Sequence, residues 1–238
     1  MDFPNIRYHG PVVIFDLDDT LFRERDFCRS GFRFLETVIS EMLGQTIPNI
    51  APAMEKALCH RENYFDVLED LVHPLFLENG KPWNLQELIV LYREHVPEKL
   101  DLSEGIAEII DNLNRNEVQM GIITDGRSVT QRSKIKALGI ERYFPPENII
   151  ISEEFGADKS TTEPFVAFVR NYPEASRFYY IGDNPTKDFI NPNLLGWTTV
   201  LAPQDPDNVH PLEFPDDTLF HPSHRISSWA ELLPLVRS

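Results

Sequence analysis

Several things are scarce in this 238-residue chain. Its two cysteines, Cys28 and Cys59, are too few for a disulfide framework and show no metal-ligand spacing, which fits a reducing, cytoplasmic setting. No apolar run approaches the ~20 residues of a membrane span, so no membrane partner is expected. The opening Met1-Asp2-Phe3-Pro4-Asn5 has no basic stretch followed by an apolar one, so no signal peptide is expected. Positive charge is also short: 22 Lys and Arg stand against 38 Asp and Glu, a formal net charge of −16. A field of that sign repels polyphosphate backbones and argues against nucleic acid as a partner. A small phosphate ester is compatible with it, because a bound cation reverses the local sign. The seven histidines are scattered, and the HxxH pair His221 and His224, beside Pro222, reads as loop.

What is present is a repeating pattern. Val12-Val13-Ile14-Phe15 is a short apolar run entered from Gly10-Pro11 and ended by acidic residues. Similar runs recur at Met120–Ile123, Ile149–Ile151, Phe178–Ile181 and Thr198–Leu201. Helical stretches separate them. Ile106, Ile109, Ile110 and Leu113 fall at i, i+3, i+4, i+7 behind Ser103 and Glu104, which read as a capped start. Leu138 precedes a terminating Gly139, and Thr161-Thr162-Glu163-Pro164 reads as a helix start with a capping hydroxyl. Strands alternating with helices predict a doubly wound, Rossmann-like parallel α/β core.

Residues 23–99 lack such strands. Phe27, Phe34, Leu35, Val38, Ile39 and Met42 form one helical stripe; Tyr64, Val67, Leu68, Leu71 and Val72 a second; Leu85, Leu88, Ile89 and Tyr92 a third. Pro48, Pro52, Pro74 and Pro82 punctuate them. The reading is a small all-helical cap domain over 23–99, inserted into a core of 1–22 and 100–238. Ala202 to Pro222, rich in Pro and Asp, reads as a surface loop, and Trp229 to Val236 as a last helix.

Polar clusters follow the strands: Asp16-Leu17-Asp18-Asp19-Thr20, then Thr124-Asp125-Gly126, then Asp158-Lys159-Ser160, then Gly182-Asp183-Asn184 with Asp188 beyond. In a doubly wound sheet, ligands bind outside the carboxyl ends of the strands, so the four clusters point at one crevice. Asp16, Asp18 and Asp183 would repel one another there. At an effective dielectric of ~20, two carboxylates ~4 Å apart cost about 4 kcal/mol. Lys159 supplies one compensating charge, and a hard, oxygen-bound divalent cation, Mg²⁺, supplies the rest.

The run Phe15-Asp16-Leu17-Asp18-Asp19-Thr20-Leu21, with Thr124, Lys159 and Gly182-Asp183-Asn184-Pro185-x-x-Asp188, resembles the haloacid dehalogenase-like hydrolase superfamily, in the phosphatase branch with a helical cap after the first motif. The resemblance covers nearly the whole chain. Ser160 stands where proline often follows the motif lysine, and Lys134, Lys136 and Lys187 are alternative lysines nearby in sequence. The resemblance implies that Asp16 is a covalent nucleophile and that Asp18 is the acid and base. Thr124, Asp125 and Gly126 would hold the phosphoryl oxygens, with Lys159 stabilising their charge. It further implies Mg²⁺ on Asp16, Asp183 and the Asp18 carbonyl, Asp188 orienting Lys159 or a metal-bound water rather than contacting the metal, and Thr20 bracing the nucleophile loop. A dehalogenase needs neither proton donor nor metal, so Asp18 and Asp183 favour phosphoryl transfer.

The implied substrate is a small phosphorylated metabolite: a sugar phosphate, a nucleotide or a phosphoglycolate-like compound. Arg23, Arg25 and Arg127 are candidates for a second anionic group, against surface pairing with Glu24 or Asp125. Glu62-Asn63-Tyr64 reads as an exposed helix start that is also able to reach a hydroxyl. A phosphomutase, a non-catalytic phospho-metabolite-binding regulator on the same fold, and a monomer or homodimer all stay open.

Overall fold

The structure, a computed structural model, describes residues 7–237. The signal-peptide expectation rests on residues 1–5 and lies outside the described residues. Strand β1 (Pro11–Phe15) forms from an apolar, largely β-branched run whose residues Val12 to Phe15 are wholly buried. Val13 and Phe15 enter one core, while Val12 and Ile14 enter the other beside Phe165, Phe168, Tyr180 and Trp197. With both faces covered, no alternation survives in the sequence.

The sheet adds β2 (Gln119–Thr124), β3 (Ile149–Ile151), β4 (Arg177–Gly182), β5 (Thr198–Leu201) and the short β6 (His224–Arg225). All pairings are parallel, in the order β3-β2-β1-β4-β5-β6. The chain winds outward from β1 to β3, then returns to lay β4 on the other flank of β1. That reversal places the switch point, where ligands bind in such sheets, between β1 and its neighbours.

Four helices fill the connection from β1: α1 (Glu24–Leu43), α2 (Ile50–Cys59), α3 (Tyr64–Glu78) and α4 (Leu85–Glu94). They pack on one another, α1 against α2 and α4, and α2 against α3. The core carries α5 (Ile106–Arg115), α6 (Ser128–Leu138), α7 (Ser152–Phe155), α8 (Glu163–Asn171), α9 (Pro185–Asp188), α10 (Ile190–Leu194) and α11 (Leu232–Arg237). Gly139 ends α6 in the left-handed conformation, as its position predicts. Gly121 lies in β2 against Phe168 of α8, where any Cβ would overlap the ring. No helix among the described residues is long and apolar enough to cross a membrane.

Several expectations need correction. The buried stripe of α1 is Phe27, Cys28, Phe32, Leu35, Ile39 and Leu43, whereas Phe34 is 36% exposed. Leu71 is also exposed, and α3 buries Leu68, Val72 and Phe76. Pro52 lies in the first turn of α2, where no N–H is needed, and Pro74 lies inside α3, which continues past it. Neither punctuates its helix. Helix α5 starts from left-handed Gly105 without a side-chain cap, and Thr162 gives α8 no capping hydroxyl. His224 is in a strand, and Trp229–Glu231 is a 3₁₀ turn leading into α11.

Candidate active site

The β1–β4 register brings the first and last clusters together. Phe15 pairs with Ile181, and the Asp16 N–H donates to the Ile181 carbonyl at 2.8 Å. Asp16 and Asp183 therefore leave adjacent strand ends. Asn184 caps α9 by accepting from the Thr186 N–H, and the turn returns Asp188 to the strand end. There one Asp188 oxygen accepts from the Asn184 N–H at 2.8 Å, and the other meets Lys159 Nζ at 2.6 Å. Gly182 is essential to this packing, because a Cβ at that position would overlap the Asp188 carboxylate. Lys159 Nζ also lies 2.9 Å from Asp16 Oδ1. Its backbone is held twice: its N–H donates to Asp125 Oδ1 at 3.1 Å, and its carbonyl accepts from Asn191 Nδ2 at 2.7 Å. Lys159, not one of its neighbours in sequence, is thus the lysine on Asp16.

One carboxylate oxygen from each of Asp16, Asp183 and Asp188 lies within 4.8 Å of the others, and all three residues are buried. Burial pushes the Asp16 carboxyl up to about 7; Lys159 opposes the shift, and Asp188 and Asp18 add to it. Asp183 rises well above the carboxylate range, first through burial and then through Asp188, Asp16 and Asp19. Burial lowers the Lys159 ammonium, but Asp16 and Asp188 overcome it and hold the group well above its usual value. An all-oxygen set with too much buried negative charge fits a hard divalent cation. Asp188 belongs to this set geometrically while also orienting Lys159; the Asp18 carboxylate does not belong to it.

The charge balance has a measurable consequence. Burial raises Asp16 to about 7 and Glu24 to about 8, so the folded protein holds protons there that the unfolded chain has released. Stability from a raised carboxyl is complete below its unfolded value and is lost as pH climbs through the folded one. Without divalent ions, unfolding free energy is expected to fall as pH rises through 7 and 8, by up to ~1.4 kcal/mol per pH unit for each proton. His95 and His210, lowered chiefly by burial, act in the opposite sense at more acidic pH. Calorimetry with and without Mg²⁺ checks this: the ion should raise the melting temperature more on the alkaline side.

Asp18 is engaged elsewhere. Its Oδ1 accepts from Lys134 Nζ at 2.7 Å and its Oδ2 from Gln131 Nε2 at 2.8 Å. Gln131 Nε2 also donates to Thr124 Oγ1 at 2.6 Å, linking the acid cluster to the end of β2. Asp19 holds the loop shape at φ 50°, accepting from the Glu24 N–H at 2.9 Å and the Val209 N–H at 2.7 Å. Burial raises Asp19 to about 6 against those two donors. Thr20 is buried, and among the described residues its hydroxyl has no hydrogen-bond partner, whereas Asp19 holds two backbone N–H groups. The Gly126 N–H donates to Ser152 Oγ at 2.9 Å, and Asp125 is turned to the Lys159 backbone.

A cavity of about 120 Å³ opens onto Asp16, Asp18, Thr124, Lys159 and Asp183, and is also lined by Lys187 and His210. The tail from Ala202 to Pro222 is thus part of the site wall, and describing it only as surface loop is incomplete. Arg23 pairs with Asp26, Arg127 with Glu153, and buried Arg25 with Asp207 of the tail at 2.7 Å. Asn63 caps α3, so Glu62-Asn63-Tyr64 is a helix start.

The model of the haloacid dehalogenase-like hydrolase family matches residues 13–201. The chain belongs to that family. Among its relatives, a glyceraldehyde 3-phosphate phosphatase of Methanocaldococcus jannaschii is 28% identical over 79% of this chain and 82% of its own length. The pyrimidine 5′-nucleotidase YjjG of Escherichia coli is 29% identical over 94% and 96%. A solved HAD-hydrolase, YfnB of Bacillus subtilis, bound to magnesium, superimposes with a TM-score of 0.57 at 22% identity, covering 97% of this chain and all of that one. The family's fold is therefore this chain's fold.

Sequence reasoning named Lys134 only as an alternative to Lys159 and Glu24 only as an arginine partner, and gave Gln131 and His210 no role at the site. A signal for Lys134 and Gln131 was available. Helix α6, Ser-Val-Thr-Gln-Arg-Ser-Lys-Ile-Lys-Ala-Leu, has too few apolar residues for a buried stripe, so a polar face must turn inward.

Proposed function

We propose that the chain is a Mg²⁺-dependent phosphatase acting on a small phosphorylated metabolite through an aspartyl-phosphate intermediate. The observation that carries this reading is Asp16, buried beside Lys159 at 2.9 Å, with Asp18 two residues on at the same cavity. Asp16 Oδ attacks phosphorus in line; Asp18 protonates the departing ester oxygen and then takes a proton from the attacking water. Lys159 balances charge on the nucleophile and the phosphoryl oxygens. Thr124 lines the same cavity and contributes its hydroxyl to them. Asp16, Asp183 and Asp188 are the residues placed to hold Mg²⁺, which when bound neutralises phosphoryl charge. Residues 23–99 act as the cap domain over a core of 1–22 and 100–238, and close the cavity to water. Two unpaired cysteines are in keeping with a cytoplasmic protein.

The relatives' phosphorylated triose and pyrimidine nucleotide substrates support the substrate class. So do the cavities: 120 Å³ suits a phosphoryl group, and an adjoining 310 Å³ space, sharing His210 and lined by Arg61 and Asn208, suits a small remainder. A screen of triose and sugar phosphates, sugar acids, nucleotides and phosphoglycolate under saturating Mg²⁺ tests the reading. Phosphate release with kcat/KM above ~10⁴ M⁻¹s⁻¹ on at least one compound is expected. Isomerised phosphate without release would make the chain a mutase. Binding without turnover across the panel would make it a regulator.

A further inference from the structure

The acid–base step leaves a second buried lysine unaccounted for. Lys134, on α6, is 3% exposed, and its Nζ lies 2.7 Å from Asp18 Oδ1, 3.7 Å from Glu24 Oε1 and 4.7 Å from the Phe27 ring centre. Gln131, one turn earlier on α6, is 1% exposed and donates to Asp18 Oδ2. Burying an ammonium at that depth costs several kcal/mol unless a partner compensates, so chance placement is disfavoured. Neither residue lines the catalytic cavity, whereas Asp18 and Glu24 do. Both therefore reach a substrate only indirectly, Lys134 through Asp18 and Glu24 and Gln131 through Asp18 and Thr124.

The arrangement is specific. Two donors from one helix take the two oxygens of a single carboxylate, which fixes the rotation and tilt of its plane. The same ammonium touches Glu24 and Phe27 on α1, the first helix of the cap. The acid is thus aligned by the core and sensitive to how the cap is seated.

We propose that Lys134 and Gln131 are positioning residues for the acid–base step, holding the Asp18 carboxylate in line with the leaving oxygen and coupling it to the seating of α1. This rests on the reading of Asp18 as proton donor. The role shows in leaving-group dependence. An alkoxide must be protonated as it departs, while p-nitrophenolate leaves with little help, and kcat/KM reports that first chemical step alone.

The test compares kcat/KM for p-nitrophenyl phosphate and for glycerol phosphate in wild type, Lys134→Met, Gln131→Met, Asp18→Asn and Asp18→Asn/Lys134→Met. Lys134→Met is expected to lose ~100-fold on the alkyl ester and under ~5-fold on the aryl ester. Gln131→Met should follow the same pattern more weakly, and the double variant should lose no more than Asp18→Asn alone. Equal losses on both esters, or additive losses in the double variant, would overturn the positioning role while leaving the phosphatase reading intact. A wild type silent on both esters overturns both. If Lys134→Met does not fold, the ester ratio of Gln131→Met decides.

Discussion

Asp16→Asn is expected to release phosphate at less than ~10⁻⁴ of the wild-type rate, because removing a covalent nucleophile eliminates a pathway and does not merely weaken one. The fold should survive. Asn keeps the volume of Asp, and the Asp16 N–H bond to the Ile181 carbonyl is made by the backbone. In fact the metal-free variant should melt above wild type at alkaline pH. Burial raises the Asp16 carboxyl to about 7, so ionising it above that pH opposes folding, and Asn carries no charge to bury. Lys159 keeps its 2.6 Å pair with Asp188. Loss of turnover with retained or increased melting temperature separates a chemical defect from a structural one. Measurable burst release by Asp16→Asn would remove the nucleophile assignment.

Lys159→Met is expected to have the largest effect on stability. It leaves Asp16, Asp183 and Asp188 buried together without the ammonium that contacts two of them. Breaking a buried pair on one side costs about 3–5 kcal/mol, a large share of the 5–15 kcal/mol that holds a typical domain together. The carboxylates can escape part of that cost by taking up protons, so the loss should be smaller at acid pH than at alkaline pH. Mg²⁺ should recover more melting temperature in the variant than in wild type, because a dication at the same oxygens replaces the missing charge. Turnover should still fall ~10²–10³-fold, since the charge that develops on the phosphoryl group has lost one of its stabilising partners. Denaturant melts across pH, with and without Mg²⁺, read out the first two effects. A variant as stable as wild type at pH 8 without metal would show that Lys159 is dispensable to the charge balance.

Much of this architecture was legible in the sequence, and the residues show why. The five long strands were readable because both faces of the sheet are covered, so burial leaves unbroken apolar runs such as Val12 to Phe15. The clusters at Asp16, Thr124 and Asp183 were readable because each follows or closes a strand end, while Asp158 and Lys159 stand beyond the short α7 that follows β3. The cap was harder. Its helices pack against one another as well as the core, so Phe32 and Cys28 could be buried while Phe34, on the same expected stripe, faces outward. Pro74 misled because a helix held by tertiary packing tolerates one missing hydrogen bond. Lys134 and His210 were hidden for a different reason. Each is a single polar residue brought to Asp18 or its cavity by long-range folding, 116 residues from Asp18 in the case of Lys134. No local pattern encodes that distance.

The two hydrogen bonds on Asp19 bear on how the crevice opens. One oxygen receives the first N–H of α1 and the other the N–H of Val209 in the tail. Neither wall can swing out without stripping a donor from a carboxylate that is 7% exposed. The two walls are therefore pinned to one rivet. Opening either wall breaks one of these bonds, so the backbone amides of Glu24 and Val209, 185 residues apart, should both be protected from exchange with water while the crevice is closed.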